Sequence, residues 1–393
     1  MKIILVHNTY QQPGGEDIVV EQEKRILERA GHRVILYGRS NHEINDLSAF
    51  ERLAMPKRMI WASDTKREFA LLLARESPNL VHVHNTFLMI SPSIYSACRE
   101  WGVPVVQTLH NFRLLCPAAT FFRDGQVCEE CLDHGLWRGI SHGCYHDSRT
   151  ATASIALMLA WHTWLNTWDD LVDCYVALSE FARAKFVAGG LAGGKIVVKP
   201  NFVDPDPGMR ESAGDYAVFV GRLSKEKGLP TLLQAWARFG GSFPLELIGD
   251  GSERGNLEVH ARDDPNSQIT FRGHLPREAT VAAVKGARFL VLPSECYENF
   301  PMSIVEAFAC GTPVICSRLG GMQELVSDHR TGLHFTAGDA DDLARKVEWA
   351  LNHPSELALM GLEARHEYET RYTAERNYSF LMDIYQRTTN AYA

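Results

Sequence analysis

Short apolar runs separated by longer amphipathic segments fill the first half of the chain. Residues 17–30 mix Ile and Val with Glu and Lys at helical spacing, and Gly31 suits the end of that helix. Strands that alternate with helices favour a parallel, doubly wound sheet. The runs that predict strands are residues 3–6, 32–37, 80–84 and 104–110.

A second alternation begins near residue 215. Helices are predicted at residues 229–239 and 303–310, and the segment 199–208, rich in Pro and Asp, is typical of a linker. The pattern therefore predicts an α/β protein with two Rossmann-like domains, in which ligands bind at the carboxyl ends of the strands. The strands predicted here are residues 216–220, 245–249, 269–271, 287–292 and 313–316.

Composition narrows the class of protein. The chain has 393 residues, 45% of them hydrophobic and 22% charged, which excludes a disordered or fibrous protein. The formal charge of −8 argues against a nucleic-acid partner. The first apolar run is too short for a signal peptide and residues 151–165 are too short for a membrane span, so we expect a cytoplasmic protein.

Two glutamates flank the start of a predicted helix in the second half. Glu298 lies on the loop after a strand, and Glu306 lies inside the helix, with Pro301 expected at its first position. At about 1.5 Å per helical residue, the two carboxylates are about 10 Å apart. That span matches the distance from sugar to ribose in a nucleotide diphosphate sugar. The free N–H groups of the helix start would face the diphosphate.

At these residues the sequence resembles the retaining glycosyltransferases of family 4, which have the GT-B fold and a Glu-x7-Glu motif. The resemblance implies two Rossmann-like doubly wound domains facing a central cleft. It implies an acceptor-binding domain at 1–200 with a Cys-rich insertion at 111–150, a donor-binding domain at 201–371, and a C-terminal helix at 372–393 that packs back on the first domain. The supporting motifs are at residues 14–15, 108–111, 177–180, 199–201, 221–223, 226–228, 249–251 and 298–306.

The resemblance also implies roles for individual residues. Glu306 would bind the ribose hydroxyls and Glu298 the donor sugar. Arg222 and Lys227 would neutralise the diphosphate, and His110 would contact the sugar near the reacting centre. Each of these side chains could instead be an ordinary surface or strand-end residue. The remaining donor-binding candidates are Gly14, Gly15, Asn299, Phe300, Met302 and Ser303.

The implied reaction moves a sugar from a UDP- or GDP-linked donor to a saccharide or lipid-linked acceptor, with retention at the anomeric carbon. Polysaccharide or glycolipid biosynthesis is the commonest setting of the family. No catalytic cofactor is expected, because Arg222 and Lys227 replace a divalent ion at the phosphates. Two Asp-x-Asp triplets, 204–206 and 339–341, lie away from the donor motifs. The alternatives are an epimerase or sugar phosphorylase on the same fold, or a nucleotide-sugar-binding module without activity.

Four cysteines follow His110 in a Cys-x11-Cys-x2-Cys-x12-Cys pattern. Their spacing is compatible with a structural zinc site that would fold a segment with little apolar core. A disulfide or four unlinked thiols are the alternatives. Nearby substitute ligands are His134, His142 and His146. The four cysteines are Cys116, Cys128, Cys131 and Cys144.

Three tryptophans, Trp161, Trp164 and Trp168, are spaced three and four residues apart, which predicts one face of a helix. Such a face is most often packed in a core. The alternative is an interfacial surface that meets the inner face of a membrane, with Lys57 and Arg58 as a second contact.

Overall fold

The computed structural model describes residues 1–11, 14–262 and 268–392. The chain forms two compact units. The first contains residues 1–121, 128–201 and those from Asn377 onward, and the second contains residues 122–127 and 202–376. The chain thus leaves the first unit near the predicted linker and returns to it with its last helix.

The first unit is built on a six-stranded sheet in the order β2-β1-β3-β4-β7-β8, with every neighbouring pair parallel. Two further short strands, β5 and β6, form an antiparallel hairpin in the Cys-rich segment, at the residues 122–127 that are grouped with the second unit. The strands up to residue 201 are β1 Lys2–Thr9, β2 Arg33–Ser40, β3 Leu80–Val83, β4 Val105–Leu109, β5 Phe122–Arg123, β6 Gln126–Val127, β7 Cys174–Ala177 and β8 Ile196–Val198.

Helices connect these strands. The first helix begins at Gly15, where Asp17 accepts a hydrogen bond from the Gly14 N–H and so caps the helix start. The helices of this unit are α1 Gly15–Arg29, α2 Ala49–Ile60, α3 Ser63–Glu76, α4 Ser93–Glu100, α5 Glu130–His134, α6 Trp137–His142, α7 Arg149–Trp164, α8 Thr167–Asp170, α9 Glu180–Ala188 and, at the end of the chain, α17 Ala374–Tyr392.

The last helix is part of the first unit's core. Leu381 and Tyr385 of α17 are fully buried against Ile3, Leu80 and Val106 of the sheet. Burial of one such side chain contributes about 1.5–3 kcal/mol. The C-terminal residues therefore help to stabilise a domain that begins at the N-terminus.

The second unit contains the other six-stranded sheet, in the order β11-β10-β9-β12-β13-β14, again parallel throughout. Its strands are β9 Ala217–Val220, β10 Leu245–Ile248, β11 Ile269–Gly273, β12 Phe289–Leu292, β13 Val314–Ser317 and β14 Gly332–Phe335. Its helices are α10 Leu229–Ala237, α11 Arg254–Arg262, α12 Arg277–Gly286, α13 Met302–Ala309, α14 Gly320–Leu325, α15 Ala340–Asn352 and α16 Pro354–Arg371.

The predicted α/β fold with two parallel sheets is confirmed. Within the described ranges, no helix combines the length and the apolar character that crossing a bilayer requires.

The prediction that three tryptophans share one helical face is wrong. Helix α7 ends at Trp164, and Asn166 adopts a left-handed conformation that turns the chain into the short helix α8. Trp168 is buried there and packs edge-on against Tyr95. Trp161 and Trp164 are exposed, so two of the three rings remain on the surface.

Candidate functional site

The order of strands in the second sheet indicates where a ligand binds. Strands β9 and β12 are neighbours, but the chain runs outward from them in opposite directions, and ligands of doubly wound sheets bind at such a switch point. The segment 221–228 follows β9, and the loop 293–301 follows β12. Arg222, Lys227 and Glu298 all lie on these two segments.

Lys227 and Glu298 form an ion pair in this structure. Lys227 Nζ is 2.5 Å from Glu298 Oε1, and Ser294 Oγ donates a hydrogen bond of 2.6 Å to the same oxygen. Burial alone would raise the pKa of Glu298, but Lys227 and Ser294 hold it below its ordinary value. Burial opposes the charge of Lys227 as well, yet Glu298 raises the pKa of that ammonium. Both groups are therefore charged at neutral pH.

Arg222 lies near this ion pair but differs from Lys227 in its exposure and pairing. Its side chain is exposed and has no ion-pair partner in the described part of the chain, although its charge also lowers the pKa of Glu298. An exposed guanidinium beside a paired ammonium is suited to bind two oxygens of a diphosphate at once.

Two glycines allow the loops of this site to pack closely. Gly228 has a φ of +65°, and a Cβ there would lie 2.0 Å from the carbonyl oxygen of Pro293. A Cβ on Gly321 would lie 2.6 Å from the carbonyl oxygen of Asn299. Side chains at these positions would push the loop 293–301 away from the sheet. Gly228 belongs to the motif at residues 226–228 that the sequence analysis identified. Gly321 was missed, although the Gly-Gly pair after β13 could have indicated it.

Glu306 lies on α13, the helix that follows the loop 293–301. Burial raises its pKa to about 7, while Arg277 acts in the opposite direction. The predicted position of Pro301 is wrong by one residue, because Pro301 is the N-cap and Met302 is the first helical residue. This shift leaves the N–H groups of Met302 and Ser303 as the first of the helix, where an anion is favoured by about 0.3–1 kcal/mol.

The other donor-site candidates on this segment differ in exposure. Asn299 and Met302 are buried, and Ser303 is partly exposed. Phe300 packs edge-on against Tyr372, with ring centroids 6.0 Å apart. Phe300 therefore anchors the loop to its own domain.

His110 lies in the first unit, directly after β4. Its Nε2 is 2.9 Å from His84 Nδ1, and the two rings are stacked with centroids 5.2 Å apart. Burial and the charges of neighbouring groups lower the pKa of His110 to about 3, so the ring is neutral. Gly14 and Gly15 form the start of α1, and a Cβ on Gly14 would meet no atom of the described residues within 4 Å.

A polar cluster near these residues was missed by sequence reasoning. Glu16 accepts hydrogen bonds from the side-chain amides of Asn85 and Asn111, at 3.1 and 3.5 Å. Burial and the nearby charge of Asp17 raise the pKa of Glu16 to about 8, although Arg113 acts in the opposite direction. A small cavity is lined by Asn85, His110, Asn111 and Arg113. The sequence pattern that could have pointed to this polar cluster was the presence of polar residues after the ends of two strands.

The four cysteines of the insertion lie near one another without forming a compact set of ligands. Burial raises the pKa of Cys131 to about 12, with contributions from Cys116, Cys144 and Cys128. None of the nine cysteines forms a disulfide bond in the described part of the chain. In the described residues, no three of these four sulfurs lie within 4.8 Å of one another. The structural zinc site stays a prediction.

Two family models match nearly the whole chain. Residues 13–207 match the model "Glycosyltransferase Family 4", and residues 209–367 match "Glycosyl transferases group 1". The boundary between the matches falls close to the boundary between the two structural units.

Curated relatives and solved structures agree with these matches. The 2-deoxystreptamine glucosyltransferase of Streptomyces kanamyceticus is 31% identical over 78% of this chain and 77% of its own length. The glycogen synthase of Mycobacterium tuberculosis is 29% identical over 83% of this chain and 73% of its own length.

Similar folds extend over the full chain. A sucrose-phosphate synthase from Thermosynechococcus elongatus has a TM-score of 0.76 at 20% identity and covers 99% of both chains. The structure of Anabaena HepE in complex with UDP has a TM-score of 0.69 at 17% identity, covering 98% of this chain and 99% of its own. The chain therefore belongs to the group 1 glycosyltransferases of the GT-B fold.

Proposed function

We propose that this glycosyltransferase moves a sugar from a nucleotide diphosphate sugar to a saccharide or lipid-linked acceptor, with retention at the anomeric carbon. The observation that carries the proposal is the cluster of Lys227, Glu298, Ser294 and Arg222 at the switch point of the second sheet. A carboxylate, two cations and a helix N-terminus match the hydroxyls and phosphates of such a donor.

The chemical step follows from these charges. When the bond between the anomeric carbon and the phosphate oxygen breaks, the electron pair stays on that oxygen. Arg222 and Lys227 stabilise this negative charge, and the N-terminus of α13 adds to the effect. The acceptor oxygen attacks from the face that the diphosphate leaves, and its proton passes to the departing phosphate. Glu298, held by Ser294, exchanges its bond with Lys227 for bonds to the sugar hydroxyls.

No divalent ion is needed in this scheme, and the two Asp-x-Asp triplets have other tasks. Both carboxylate oxygens of Asp206 bind Arg365 at 2.7 Å. Asp339 accepts a hydrogen bond from the N–H of Asp342 and caps α15. Activity that persists after chelation supports this part of the proposal, and its loss, with recovery on added Mg²⁺ or Mn²⁺, contradicts it.

A donor screen tests the proposal. UDP, GDP and ADP with their sugars are compared by thermal shift, and the matching donor is incubated with candidate acceptors for mass analysis of the product. UDP-glucose is the first choice, because HepE has been crystallised with it and one relative is named a glucosyltransferase. Product with an inverted anomeric centre contradicts retention. Binding without turnover favours a non-catalytic module, and a C-epimeric nucleotide sugar as product indicates an epimerase.

The matched control for this screen is on the same loop. Lys225 is exposed and makes no ion pair in the described residues. Lys225→Ala should leave donor cleavage unchanged, whereas Lys227→Ala should slow it by about 10²-fold or more, as the loss of one charge-stabilising group does in other enzymes.

A further inference from the structure

A buried ion pair lies behind the site of the first unit. Glu23 of α1 and Lys199, just after β8, are both fully buried, and Lys199 Nζ is 2.8 Å from Glu23 Oε1. The two residues are 176 positions apart in the chain. A charge pair that is removed from water is costly to keep unless its remaining polar atoms have partners. The second oxygen of Glu23 faces two histidines.

His84 connects this pair to His110. His84 Nε2 is 3.5 Å from Glu23 Oε2, and His84 Nδ1 is 2.9 Å from His110 Nε2. Neither Glu23 Oε2 nor His84 Nε2 has a hydrogen-bond partner among the described residues, so the 3.5 Å contact between them is an electrostatic one. The carboxylate, the two rings and the open edge of His110 therefore form one continuous row.

The same residues could be mistaken for a metal site. Ligand atoms of Glu23, His82 and His84 lie within 4.8 Å of one another. However, the Lys199 ammonium already supplies the positive charge next to Glu23. Both ring nitrogens of His82 are also in use, bonded to the hydroxyls of Tyr385 and Thr108 at 2.7 and 2.8 Å. The cluster is therefore suited to hold protons on particular histidine nitrogens and not to bind a metal ion.

Only one proton can lie between His84 Nδ1 and His110 Nε2 when both rings are neutral. Burial lowers the pKa of His84 well below its ordinary value and that of His110 to about 3, which keeps both rings neutral. If the proton were on His84 Nδ1, the bare Nε2 lone pair of His84 would face the Glu23 carboxylate. If the proton is on His110 Nε2, the N–H of His84 Nε2 faces that carboxylate instead, and the contact becomes attractive.

We propose that Glu23 and His84 are positioning residues that fix His110 in the tautomer with Nε2 protonated and Nδ1 bare. His110 Nδ1 has no hydrogen-bond partner in the described part of the chain, and His110 lines the small cavity that also contains Asn85 and Asn111. The first unit thus presents a hydrogen-bond acceptor at this point. Resting on the proposed function, we assign this nitrogen to a hydroxyl of the donor sugar, which would donate its proton to Nδ1 and be held beside the reacting carbon.

The tautomer can be measured without any substrate. The protein is labelled with ¹⁵N-histidine, and the two ring nitrogens of His110 are assigned by comparison with a His110→Gln variant. The free wild-type protein should show His110 protonated at Nε2. In the double variant Glu23→Leu/Lys199→Met both charges are replaced together by apolar residues of similar volume, a change that folded proteins often tolerate. Without the carboxylate, His110 should show a mixture of the two tautomers.

Tyr385→Phe is the matched control. It removes a buried hydroxyl from His82, on the same cluster, but leaves the row from Glu23 to His110 intact. This control should keep the wild-type tautomer. A merely structural role for Glu23 would disturb His110 equally in both variants.

Kinetics with the donor then separate positioning from binding. The double variant should lower kcat by about ten-fold or more and change the donor KM by less than about three-fold, because an interaction at the reacting centre is misplaced while the nucleotide contacts stay. A wild-type His110 protonated at Nδ1, or an unchanged tautomer in the double variant, overturns the proposal. Failure of the protein to cleave any nucleotide sugar overturns the proposed function instead, and the tautomer measurement still decides the proposal on Glu23 and His84.

Discussion

Replacement of Glu306 by Gln should stabilise the protein at alkaline pH while it destroys donor binding. Burial raises the pKa of Glu306 to about 7 from its ordinary 4.5. The folded state therefore favours the protonated acid, whereas the unfolded chain holds the carboxylate above pH 4.5. The stability linked to this group is fully present below pH 4.5 and is lost as the pH rises through 7.

The size of the effect follows from the two pKa values. A change from 4.5 to about 7 corresponds to about 3 kcal/mol at most. Because Glu306 is partly exposed, water screening brings the expected effect to about 1–3 kcal/mol. In a unit of this size each kcal/mol moves the melting temperature by about 2–4 °C. Glu306→Gln should thus melt within about 1 °C of the wild type at pH 4.5 and several degrees higher at pH 8.

Thermal melts of both proteins from pH 4.5 to 8 provide the measurement. Glu348→Gln is the control, since Glu348 is exposed on α15 and makes no ion pair in the described residues. Titrations with UDP-glucose complete the test, because its diphosphate does not titrate in this range. Wild-type affinity should rise with pH through 7, as the carboxylate forms and accepts the ribose hydroxyls, and the variant should bind weakly at every pH. A difference in melting temperature that is the same at all pH values would refute the reasoning.

Three further outcomes are expected. Lys227→Ala removes the ammonium that pairs with the Glu298 carboxylate, so the melting temperature should fall as well as kcat. Lys227→Arg should recover stability more than rate, and equal recovery of both would count against a role in charge stabilisation. Wild-type protein purified without added zinc should contain about one equivalent of zinc, and the Cys131→Ser variant should contain none. Metal analysis measures this, and a metal-free wild type would refute the zinc site. Trp161→Ser/Trp164→Ser should reduce sedimentation with anionic vesicles, and a wild type that does not bind such vesicles excludes the membrane surface.

Local patterns were sufficient for most strands, because a strand buried on both faces is a run of apolar residues that needs no tertiary information. The predicted strand at 32–37 became Arg33–Ser40, and that at 313–316 became Val314–Ser317. Three strands of the two sheets were missed, since three or four residues carry little pattern; they are Cys174–Ala177, Ile196–Val198 and Gly332–Phe335.

The site was predictable only where its residues follow one another in the chain. Glu298 and Glu306 are joined by one loop and one helix, so their spacing carried information. The Glu23–Lys199 pair joins distant parts of the chain, and nothing local distinguishes Lys199 from a surface lysine. The tryptophan face failed for a related reason, because a single left-handed residue, Asn166, ended a helix whose periodicity gave no sign of stopping.

Because α17 packs on the first sheet, it sets the order in which the two domains can finish folding during synthesis. Residues up to Asn201 emerge from the ribosome long before Asn377 exists. At about 5–20 residues per second the intervening chain takes roughly 10–35 seconds to make. During that time the first sheet lacks Leu381 and Tyr385, and the polar ring of His82 has no Tyr385 hydroxyl. The second domain can therefore finish folding first, although its sequence comes later, and the N-terminal half expressed alone should be prone to aggregate.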